Sequence, residues 1–142
     1  MADVGDTLTE RQYQLTRADL VRYAGASGDV NPIHWSDRVA AAAGLPGVIA
    51  HGMLTMAQVG RLLTEWAGDP GALVEYRARF SHPVVVPDDD DGVTLSVGGI
   101  VTEVRDDGLV GVDLTVTVGG EKVLTQARAV VRRQVRHMTR LI

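Results

Sequence analysis

Not one of the 142 residues is cysteine. That excludes disulfides, thiol nucleophiles and any metal held by thiolates, and it leans weakly toward a reducing, cytoplasmic compartment. Lysine is nearly missing as well: Lys122 stands alone among the 14 basic residues, the rest being arginine. We read that bias as a codon habit of the source genome, without functional content. Positive charge is not in excess either, since the net charge is −4, which argues against a general nucleic-acid binder. No apolar stretch is long enough to span a bilayer, and no apolar run follows a basic start, so neither a membrane span nor a signal peptide is expected. What is present is ordinary for a soluble globular protein, with 45% hydrophobic residues and a length that suits one domain over 1–142.

The pattern along the chain predicts an α+β architecture. A polar N-terminal stretch holding Tyr13 and Leu15 leads to Thr16, an N-cap with Asp19 at the third helical position. Leu20, Val21 and Ala24 then supply apolar spacing for a helix over 17–26. A second short helix starts at Ser36 and stops at Gly44, with Pro46 just beyond. Residues 48–66 form the longest apolar segment, and its large side chains spread nearly all round a helix starting at Gly52, which predicts burial on every side. After the turn cluster Gly68-Asp69-Pro70-Gly71, strands are predicted over 73–80, 93–104, 109–118 and 123–131, joined as an antiparallel meander. One long helix packed on such a sheet is an α+β domain.

The most informative stretch is Tyr23 to Ala40, YAGASGDVNPIHWSDRVA. It sets Asp29 and His34 five residues apart around a stiff turn. Pro32 fixes its own φ and pushes Asn31 away from helical geometry, while Asn31 can hydrogen-bond neighbouring backbone. A carboxylate beside an imidazole suits general acid–base work near neutral pH. Composition alone favours an ordinary surface turn.

The whole string resembles the hydratase 2 signature of the MaoC-like family: Tyr23, Ser27, Gly28, Asp29, Asn31, Pro32, Ile33, His34 and Ala40 all fall in place, and Ala26 is a mild departure. The resemblance implies a hot-dog fold, an antiparallel sheet wrapped around a long central helix. It also implies reversible hydration of a trans-2-enoyl thioester to the (3R)-hydroxyacyl thioester, with Asp29 and His34 as the catalytic pair; His34 is favoured for the α-proton and Asp29 for the oxygen, a division the sequence leaves open. The tripeptide Ala50–Gly52 is similar to the family's sequence at the start of the central helix, where the Gly52 N–H would receive the thioester carbonyl. His51 and Asn31 are expected to support the site. Some members place a serine eight residues after the equivalent of Gly52; here that position is Gly60, so a supporting hydroxyl is expected from Thr55.

Further segments, YQLTRADLVRYAGASGDVNPIHW, AHGMLTM, WAGDPGALVEY and HPVVVP, are similar to β subunits of actinobacterial (3R)-hydroxyacyl-ACP dehydratases, which serve type II fatty-acid synthesis and mycolic-acid elongation. That likeness implies an acyl-ACP or acyl-CoA substrate and a hot-dog dimer, either a homodimer or a heterodimer with a related noncatalytic dehydratase subunit. It implies no cofactor. Free-standing (R)-specific enoyl-CoA hydratases and noncatalytic acyl-thioester-binding subunits are the alternatives.

The remaining candidates are weaker. His82 and His137 have no carboxylate at metal-ligand spacing, so no metal is expected. Asp88–Asp91 reads as a solvated loop. The arginine-rich stretch from Arg128 to Ile142 would attract an acidic carrier protein or coenzyme A phosphates, or serve solubility alone.

Overall fold

The computed structural model describes residues 2–133. Five strands form one antiparallel sheet: β1 (Thr7–Leu15), β2 (Leu73–Phe80), β3 (Val93–Val104), β4 (Leu109–Val118) and β5 (Glu121–Arg132), in the order β1-β3-β4-β5-β2. Helices α1 (Arg17–Ser27) and α2 (Asp37–Ala42) flank the motif, and α3 (Gly52–Ala67) crosses the sheet. This is the α+β, hot-dog arrangement that the motif implied.

The helix signals act as local chemistry requires. The Thr16 side chain accepts from the Asp19 N–H while Asp19 receives the Thr16 N–H, so two orphan donors of α1 are satisfied together. The Ser36 side chain caps α2 by accepting from Val39 N–H, without the reciprocal bond. Both α1 and α3 stop at a left-handed glycine, Gly28 at φ 77° and Gly68 at φ 71°.

Three expectations need correction. The N-terminal stretch is strand β1, paired with β3; only Leu8, Tyr13 and Leu15 are buried along it, so an edge strand with a mostly polar exterior shows little alternation. Next, β2 does not neighbour β3. It runs along the far edge beside β5, and only β3, β4 and β5 form a meander. The connection from β2 back to β3 is held by a clip in which Ala50 N–H donates to Val84 O at 2.8 Å and Val86 N–H to Val48 O at 2.9 Å.

Helix α3, finally, is buried on one face. Leu54, Thr55, Val59, Gly60, Leu62 and Leu63 face the sheet, whereas Met53 remains 60% exposed and Arg61 lies in solvent. A five-stranded sheet reaches only one side of a helix about 24 Å long. Tyr76 of β2 locks the two layers: its hydroxyl donates to Met56 O at 3.0 Å, and its burial raises the phenol pKa. Gly60 faces that ring, since a Cβ there would stand 3.8 Å from it.

Two glycines separate steric from conformational need. Gly108 has φ 83° and open space around an added Cβ; Gly92 has φ 64°, and a Cβ there would run into the backbone carbonyl of Leu15 at the end of β1. Gly108→Ala should therefore lose only the left-handed strain, about 1–2 kcal/mol. Gly92→Ala should lose clearly more, because the carbonyl it meets cannot swing aside. Urea unfolding of the two variants checks the order.

Candidate active site

The polar residues of the motif are arranged by a ladder of short hydrogen bonds. Once α1 has ended at Gly28, Asp29 N–H donates to Ser27 Oγ at 3.1 Å, Asn31 N–H to Asp29 Oδ1 at 3.2 Å, and Ile33 N–H to Asn31 Oδ1 at 3.2 Å. Each side chain thus holds the backbone two residues on, the mimic of a turn that Ser, Asp and Asn make readily. Pro32 then begins a single 3₁₀ turn ending at His34. Asn31 orients the loop rather than the second carboxylate oxygen of Asp29.

His34 is nearly buried, at 7% exposure, and its ring is fixed by Nδ1 at 2.7 Å from Ile49 O. A carbonyl can only accept, so Nδ1 carries a proton, and in the neutral ring Nε2 presents a lone pair. That Nε2 stands 3.9 Å from Asp29 Oδ2, whose side chain is about half exposed. The separation is too long for a direct hydrogen bond. It suits one water or hydroxyl placed between them, at about 2.8 Å from each.

His51, expected to be a support, stacks on His34 with ring centroids 3.8 Å apart and planes at 22°. It is 2% exposed, and its Nε2 donates to the backbone carbonyl of Asp29 at 3.0 Å. Tyr23 meets its ring edge-on at 4.8 Å. The His51 Nδ1 is buried, with no hydrogen-bond partner among the described residues. Asp29, His34 and His51 place potential ligand atoms within 4.8 Å of one another. A metal fits them poorly, because two ring planes stacked 3.8 Å apart at 22° cannot both aim an in-plane lone pair at one nearby point, as tetrahedral coordination needs.

Gly52 opens α3 beside this pair. The N–H groups of Leu54 and Thr55 both donate to His51 O, and the helix has no side-chain cap, which leaves the Gly52 amide an open donor among the described residues. Together with Asp29 and His34 it lines a cavity of about 560 Å³, mostly apolar, into which Thr55, Phe80 and His82 also face.

The sequence reading left out the wall formed by Phe80, Ser81 and His82. They lie about 50 residues from the motif in the chain and reach it because β2 occupies the edge beside β5. His82 is held by Glu121 at 3.0 Å and by Lys122 O at 3.0 Å, a structural role at the rim. The alternating strand pattern that predicted β2 marked Phe80 only as a strand end. No local signal could have placed it at the site.

The arginine-rich tail separates into parts. Arg128 lies within β5 and is paired with Glu103 at 2.7 Å, so it is not an open phosphate receptor. Hydrogen bonding from Arg105, together with the Arg105 and Arg128 charges, holds the Glu103 carboxyl below its usual range. Arg132 ends β5, and the Arg133 guanidinium sits 4.4 Å above the Trp66 ring. Arg136, His137 and Arg140 lie outside the described residues.

Residues 3–119 match the family described as MaoC like domain. The chain is 46% identical over 74 residues to 3-hydroxyacyl-thioester dehydratase X of Mycobacterium tuberculosis, which covers 52% of this chain and 25% of that protein. It is 32% identical over 111 residues to the (R)-specific enoyl-CoA hydratase of Rhodospirillum rubrum, covering 78% of this chain and 74% of the relative. A solved structure, a MaoC-like dehydratase, superposes with a TM-score of 0.89 at 40% identity, over 94% of this chain and 41% of that one. The chain thus spans a quarter of the first relative and less than half of that structure.

The hydrogen bonds require opposite neutral tautomers in the two stacked rings: His34 protonated on Nδ1, His51 on Nε2. Long-range ¹⁵N–¹H correlation spectra of the neutral rings should show one of each. Two identical tautomers would contradict the geometry.

Proposed function

The chain belongs to the MaoC like domain family, and on that premise we propose that it is a (3R)-hydroxyacyl-thioester dehydratase, running reversibly to the trans-2-enoyl thioester and water. The observation that supports this most directly is the gap of 3.9 Å between Asp29 Oδ2 and His34 Nε2, opening into the same cavity as the Gly52 amide. Dehydration removes a proton from C2 and the hydroxyl from C3. Two groups flanking one oxygen-sized space can take the first proton and deliver one to the leaving oxygen, and hydration reverses both transfers.

The difficult species is the enolate formed as the C2 proton leaves. Its oxygen carries charge that an open amide at a helix N-terminus is placed to accept, aided by the partial positive charge of the first turn. The Gly52 amide is such a donor. His34, with its Nδ1 proton committed to Ile49 O, keeps the basic nitrogen turned toward the substrate. The scheme draws on no cofactor.

We assign the substrate to the acyl-ACP and acyl-CoA thioesters of fatty-acid elongation. A free-standing (R)-specific enoyl-CoA hydratase is the second reading, favoured by the match to the Rhodospirillum rubrum enzyme over most of both chains. Val30, Trp35 and Met53 are exposed apolar side chains on and beside the site's own elements. We attribute them to a face covered by a second hot-dog chain, identical or related.

Hydration of crotonyl-CoA and of a long-chain trans-2-enoyl-CoA, followed as loss of the conjugated-enoyl absorbance, tests the reading. Asp29→Asn and His34→Ala should each lower kcat by about 10²–10⁴-fold. Variants that keep wild-type turnover would sink the assignment, and a folded chain that binds enoyl thioesters without hydrating them would make it a binding subunit. Turnover should also survive exhaustive treatment with a chelator, since the ring geometry leaves no converging ligand set.

A further inference from the structure

One wall of the cavity has no part in the proton transfers. Phe80 closes β2 opposite Leu124 of β5, and the backbone beyond it is held by Ser81 N–H donating to Val123 O at 3.0 Å. The side chain, by contrast, is loosely held at 53% exposure. Its ring tip rests against Gly52: a Cβ built on that glycine would fall 2.7 Å from Cζ, 2.9 Å from Cε1 and 3.1 Å from Cε2. A large apolar group on a fixed backbone therefore reaches the backbone that bears the open amide, and only a glycine at 52 lets it do so.

We propose that Phe80 is a substrate-contacting residue that covers the thioester carbonyl at the Gly52 amide and keeps water from it. The inference rests on the dehydratase reading above. A hydrogen bond to a developing enolate is worth far more in a dry site than in water, because water competes for the oxygen and screens the charge. The three heavy atoms nearest a Cβ built at Gly52 all belong to the Phe80 ring. Phe80 needs only a side-chain rotation to admit a thioester and close again, since its backbone is already anchored by β5.

The test compares wild type, Phe80→Ala and Phe80→Leu. With crotonyl-CoA, Phe80→Ala should lower kcat by about tenfold or more while KM moves less than about threefold, the pattern of an interaction made mainly in the transition state. Phe80→Leu, which retains an apolar cover, should recover most of the loss. The second readout is optical. Cinnamoyl-CoA bound to the Asp29→Asn protein should show a red-shifted absorbance as its carbonyl is polarised, and adding Phe80→Ala should remove most of the shift. Thermal melts should be near wild type, because the replaced side chain is half exposed.

A kcat within about twofold of wild type together with an unchanged red shift would overturn the inference, as would a rise in KM alone, which marks uniform binding. The two readings fail separately. Wild-type turnover that Asp29→Asn does not affect defeats the dehydratase reading, while an active, Asp29-dependent enzyme indifferent to Phe80 defeats only the cover. Should the wild type not turn over crotonyl-CoA at all, the optical shift still decides the role of Phe80.

Discussion

The site depends on a short extended segment, residues 48–51, that never enters the main sheet. Its peptide groups are shared between two neighbours. On one side, Ala50 N–H and Val48 O bond the strip 84–86, and on the other, Ile49 N–H reaches Ile33 O while Ile49 O receives the His34 ring proton. Backbone groups buried together must find partners, and here every partner is a different part of the site. The motif loop, the rim after β2 and the start of α3 are held in register by one strip of main chain.

That arrangement explains the division of labour between the two histidines. His34 is oriented by a backbone carbonyl and turns its other nitrogen toward Asp29; His51 supports the same loop from below by donating to the Asp29 carbonyl. The two carbonyl hydrogen bonds leave each ring a single tautomer to adopt in its neutral form. Burial of His51 Nδ1, which has no hydrogen-bond partner among the described residues, is unfavourable by the usual desolvation penalty of about 1–3 kcal/mol.

Much of the local structure was legible because its causes are local. Thr16 with Asp19, and Ser36 before α2, are capping signals that act over three residues. Gly28 and Gly68 stop helices through their own φ, and the alternation in 109–118 needs nothing beyond a sheet with one buried face. The errors are of another kind. β1 was invisible because an edge strand buries only three of its side chains, and the all-round apolar character of 48–66 did not reveal that the sheet covers one side of α3 alone. The path of β2 to the far edge is a matter of topology, which periodicity does not encode.

For the candidate site, the sequence by itself determined which residues carry ionisable chemistry and that Asp29 and His34 share one stiff loop, because Gly28, Asn31 and Pro32 constrain the backbone between and beside them. It also placed Gly52 at the head of a long helix. The distance between carboxylate and imidazole, the tautomer of each ring, the stack of His51 on His34 and the arrival of Phe80 at Gly52 were decided only by the tertiary structure. Each depends on hydrogen bonds and packing between segments 15 to 28 residues apart, whose meeting is set by the order of strands in the sheet rather than by any local preference of the chain.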